Sequence, residues 1–95
     1  MPTKLEDAQR LKDEAEQAHE RMVDFIRMAR EAERQVHLHN SEIAALGTAD
    51  PKRAELTEMR NHFQQSAVCW REAAAATRIL IDSGAIIVDA IEDGV

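Results

Sequence analysis

From Ala8 onward, apolar residues recur at alternating spacings of three and four. The series is Ala8, Leu11, Ala15, Ala18, Met22, Phe25, Ala29, Ala32, Val36, His39, Ile43 and Leu46, with His39 the one polar member. A stripe of that period keeps to one face only if the chain is an α-helix. No Gly or Pro interrupts Thr3 to Leu46. Thr3 and Glu6 have the spacing of a capping box, and Gly47 offers a left-handed C-terminal cap. The spacing predicts a first helix over 3–46, about 60 Å long at the helical rise per residue.

A turn is expected at 47–50, where Asp50 can cap a second helix and Pro51 can occupy its first position without losing a needed N–H. The second helix is expected over 51–83. Its seam reads Leu56, Met59, Phe63, Ser66, Trp70, Ala73, Thr77, Leu80, Gly84, Ile87 and Ile91. Two long helices joined by so short a loop become antiparallel neighbours, which predicts an all-α hairpin, a single domain over 1–95 with coiled-coil packing. Folding at the turn pairs positions whose numbers add to about 99. Trp70 then falls opposite Ala29, Phe25 opposite Ala73, Ala18 opposite Leu80, Ala15 opposite Gly84 and Leu11 opposite Ile87, so that large residues mostly meet small ones. Ser83-Gly84 is the weak point of helix two, and residues 84–92 are expected as a separate short helical segment.

A self-sufficient hairpin is polar outside its seam. Here a flank of Ala67, Ala74, Ile81, Ala85 and Val88, with Val23 and Ile26 from helix one, forms an apolar strip. These seven residues are the expected self-association interface, joining two hairpins into a four-helix bundle, because symmetric dimers are the commonest oligomers.

Composition excludes several function classes. The net charge of -6 opposes general binding to nucleic acid or to an anionic membrane. The basic stripe of Arg27, Arg30 and Arg34 is diluted by Asp24, Glu31 and Glu33 and has no aromatic between its members. One cysteine cannot close an internal disulfide, and no stretch reads as a signal peptide or a membrane span. The cytoplasm is the expected compartment. Cys69 is expected to pack inertly beside Met28. No phosphate loop, nucleophile elbow or zinc-protease motif occurs, so no catalytic or cofactor residue is assigned.

The histidines are the remaining candidates for chemistry. Glu16 and His19 have the Glu-x-x-His spacing of di-iron carboxylate bundles, and the hairpin brings His39 near His62, with Glu42 and Glu58 within reach. A metal-binding, ferritin-like bundle is therefore the alternative function. His39 as a polar seam residue that fixes register is the preferred reading, and no metal or cofactor is expected.

In length, acidity and alanine content the chain resembles the small secreted hairpins of the WXG family. That family's Trp-x-Gly lies in the turn, whereas here the turn is Gly47 to Asp50, Trp70 is followed by Arg71 in mid-helix, and no Tyr is present for an export motif. Those departures set the chain outside that family. The composition is also broadly similar to that of short acidic helical proteins encoded by phages, including some anti-CRISPR inhibitors, but no residue motif carries the comparison and no family is assigned. The functional expectation is a non-catalytic protein-protein interaction module. It would associate with itself and with an unidentified protein partner, as adaptor, assembly subunit or small inhibitor.

Overall fold

A computed structural model describes residues 3–94. Two helices account for almost all of them, α1 (Lys4–Ala45) and α2 (Pro51–Asp93), and they pack as an antiparallel hairpin. Among the described residues there is no strand.

The helix starts follow the sequence. Thr3 N donates to Glu6 Oε2 at 3.3 Å while Glu6 N donates to Thr3 Oγ1 at 3.1 Å, so the capping box forms in both directions. At the start of α2, Asp50 Oδ1 accepts from Lys52 N at 3.0 Å. The end of α1 departs from expectation. Gly47 has no positive φ, so the left-handed cap is absent. Instead, Leu46 N closes a tighter turn onto Ile43 O at 3.1 Å. Arg53 Nη1 then donates to the carbonyls of Ile43 at 3.1 Å and Leu46 at 3.3 Å. The last turn of α1 contains no basic residue, and Arg53 of α2 supplies the cation that its carbonyl end favours.

α2 also runs unbroken through Ser83-Gly84 to Asp93, so residues 84–92 continue the helix instead of forming a separate segment. A helical Gly costs about 1 kcal/mol relative to Ala without removing a backbone hydrogen bond, and the helix absorbs that.

α1 buries the face its spacing predicts. Ala8, Ala18, Met22, Ala29, Ala32, His39 and Ile43 are buried, and Leu11, Ala15, Phe25, Val36 and Leu46 are half-buried. α2 uses a different face from the one expected. Its covered series is Arg53, Leu56, Arg60, Phe63, Ala67, Trp70, Ala74, Thr77, Ile81, Gly84, Val88 and Ile91, again at spacings of three and four. The expected Met59, Leu80 and Ile87 are exposed. At Met59, Leu80 and Ile87 the expected seam is replaced by its neighbour one residue on, while Ser66 and Ala73 stay half-buried beside the more deeply buried Ala67 and Ala74. Those two alanines let the backbones approach the alanines of α1 closely. The arginine at position 53 gains the end of α1.

The chain divides into two compact units, residues 25–72 and residues 3–24 with 73–94. The turn-side unit holds the rings. Phe25 stacks on Trp70 with centroids 5.6 Å apart, so these two large residues meet each other, where the sequence pattern set each against an alanine. His39 leans on Phe63 at 5.4 Å and its Nδ1 lies 2.7 Å from Gln35 O. Arg71 makes a two-pronged bond to Glu33, Nε to Oε1 at 2.7 Å and Nη2 to Oε2 at 3.0 Å. That bond holds the Glu33 carboxyl below its ordinary value and the Arg71 guanidinium above its own. Arg60 Nη1 donates to Asn40 Oδ1 at 3.2 Å.

The terminal unit contains no Phe or Trp. Its buried apolar residues are Ala8, Ala18, Met22, Ala74 and Val88, and Lys12 pairs with Glu92 between the helices.

Candidate interaction surface

The shift of the α2 seam decides which apolar residues remain outside. From Ala73 onward α2 carries two overlapping apolar series. One, Ala74, Thr77, Ile81, Gly84, Val88 and Ile91, faces α1. The other, Ala76, Leu80, Ser83, Ile87 and Ala90, has the same three-and-four spacing and is joined at its edge by Ile79 and Ile86. At about 100° per residue these seven side chains fall within an arc of about 120°. In the terminal unit, Ile79 is 65% exposed, Leu80 70%, Ile86 70% and Ile87 49%. Full burial of each such side chain is worth about 1.5–3 kcal/mol. Four of them in one arc form a contiguous patch, unlike single exposed apolar residues.

The surface of α2 is also grooved. Ala15 and Gly84 line the same grooves in the terminal unit, and a Cβ added at Gly84 would touch nothing within 4 Å. Two such small residues leave the helices incompletely filled between them. A groove of about 590 Å³ opens on one side, lined by Leu11, Ala15, His19, Ile81, Gly84 and Val88 among others. A second, of about 230 Å³, opens on the other side beside Leu80, with Glu14 and Arg21 at its rim.

The residues expected to form the interface are dispersed differently. Ala67, Ala74 and Val88 are buried by the hairpin itself and Ile81 is half-buried against it. They belong to the α1-facing seam, which removes them from the outer strip. Ala85 is exposed and Ile26 half-buried, and Val23 is 40% exposed. The outward strip is the adjacent one, through Leu80 and Ile87.

Among the described residues, no three His, Cys, Asp or Glu side chains gather as metal ligands. Glu16 and His19 both line the larger groove, His39 is buried on the seam, and His62 is exposed with its ring edge-on to Phe63 at 5.8 Å. Cys69 is exposed, contrary to the packing role expected of it. At about 100° per residue it lies one heptad before Ala76, in line with the outward series. Among the described residues, no helix is long and apolar enough to cross a membrane.

No known protein family, curated protein or solved structure matches the chain significantly.

Proposed function

We propose that this protein is a non-catalytic protein-protein interaction module. It is a self-associating helical hairpin that acts as an adaptor, an assembly subunit or a small inhibitor of a protein partner in the cytoplasm. One observation carries the reading: the second apolar series of α2, with Ile79, Leu80, Ile86 and Ile87 exposed together. A helix already packed on one side and apolar on the next is built to receive another helix. The surrounding charge favours protein over an anionic lipid surface, since residues from Ile79 on include Asp82, Asp89, Glu92 and Asp93 and no Lys or Arg. A rigid helical face also loses little conformational entropy on docking.

Paired substitutions test this reading. Leu80→Asp should abolish association while leaving helix content unchanged. Ile81→Asp, one residue on, should unfold the hairpin by placing a charge in its seam. Association undiminished in Leu80→Asp would refute the reading.

A further inference from the structure

The exposed series of α2 is a palindrome. About Ser83, Leu80 and Ile86 stand three residues to either side, Ile79 and Ile87 four, and Ala76 and Ala90 seven. We propose that the occupant of this face is a second copy of the chain, with the two α2 helices antiparallel about a two-fold axis at Ser83. This rests on the reading of the protein as a self-associating module and gives it a register.

A two-fold axis demands a surface that complements itself, each residue meeting its mirror position. With the axis at Ser83, Leu80 of one copy lies level with Ile86 of the other, and Ile79 with Ile87. The small Ser83 sits at the crossing, where the two backbones approach most closely. Ala76 and Ala90 close the two ends. A parallel arrangement would not use this symmetry.

α1 adds a matching charge pattern. Glu14 and Arg21 rim the same groove as Leu80, and Ala15 and Ala18 lie between them along the helix. Ala15 and Ala18 share that groove with Gly84 and Leu80, so the midpoint between Glu14 and Arg21 lies close to the level of Ser83. The axis that pairs the two α2 helices therefore brings Glu14 of each copy toward the level of Arg21 of the other. Asp82 and Asp89 lie outside the arc of the palindrome, so the dimer does not press its acids together.

Cysteine cross-linking in a Cys69→Ala background tests the register. Ser83→Cys should form a covalent dimer in a glutathione redox buffer at low protein concentration, because facing helical residues on a two-fold axis come within disulfide reach. Ala76→Cys and Ala90→Cys should each stay uncross-linked alone and give the mixed disulfide when combined, since each lies about 21 Å along the helix from its own symmetry mate. Cross-linking of Ala76→Cys to itself would show a parallel pair and overturn the proposal. So would a dimer by sedimentation in which Ser83→Cys stays reduced, and that result would leave the interaction reading intact. A chain that sediments as a monomer would defeat both.

Discussion

The turn-side unit and the terminal unit are made from the same two helices, and they spend their side chains in opposite ways. Residues 25–72 place Phe25, Trp70, Phe63 and His39 between the helices and tie them with Arg71 to Glu33, Arg60 to Asn40 and Arg53 to the end of α1. Residues 3–24 with 73–94 bury Ala8, Ala18, Met22, Ala74 and Val88, half-bury Leu11, Ile81 and Ile91, and leave Ile79, Leu80, Ile86 and Ile87 in solvent. The turn-side unit also exposes Met28, Leu38, Met59 and Val68, but these are spread over both helices. The terminal unit gathers Ile79, Leu80, Ile86 and Ile87 into one arc of α2, and a region of that kind can bind without first having to unpack.

Substitutions that strike the two units unequally would break or sharpen this contrast. The largest effect is expected at the ring stack. Trp70→Ala should lower unfolding free energy by about 3 kcal/mol in urea titrations, through lost burial and a residual cavity beside Phe25. A loss no larger than that of Leu80→Ala would erase the distinction between the units.

Arg53→Ala should cost about 1–2 kcal/mol, because it removes two charge-assisted bonds from the carbonyl end of α1. Amide exchange should accelerate first near the turn. In the terminal unit the sign reverses: Gly84→Ala should stabilise by about 0.5–1 kcal/mol, since α2 is already helical there and the added methyl meets nothing. A lowered melting temperature instead would mean that the helices leave no room for a methyl at Gly84.

The smallest effect is electrostatic. Glu33 has a folded pKa depressed by Arg71, so its contribution is present above the ordinary carboxylate value and is lost as pH falls through the lowered one. Glu33→Gln should therefore flatten the acid limb of stability slightly and leave neutral pH almost unchanged. Because both groups are exposed, solvent screening keeps the change small.

How much of this was legible in the sequence differs between the helices. α1 has one apolar series with polar residues on both sides, so its seam from Ala8 to Leu46 could be read directly. The C-terminal half of α2 has two, and periodicity alone cannot say which of Leu80 and Ile81, or of Ile87 and Val88, turns inward. The choice is settled across the helices, by how closely Ala67 and Ala74 let α2 approach α1 and by the reach of Arg53 to the α1 carbonyls. Neither signal lies within α2. Periodicity alone therefore sets Ala67, Ala74, Ile81 and Val88 on the outer strip, one residue out of register, and hides the palindrome about Ser83. The unbroken helix at Gly84 is illegible for a related reason: the local cost of a glycine is visible in sequence, while the continuing hydrogen-bond ladder that outweighs it is not.

Sedimentation equilibrium of the unmodified chain is the most direct measurement of whether α2 presents a second seam. The expected result is the mass of two chains, each 10.7 kDa, dissociating only on dilution. A single-chain mass throughout the micromolar range would contradict it, leaving Leu80 and Ile87 as exposed residues with nothing to cover them.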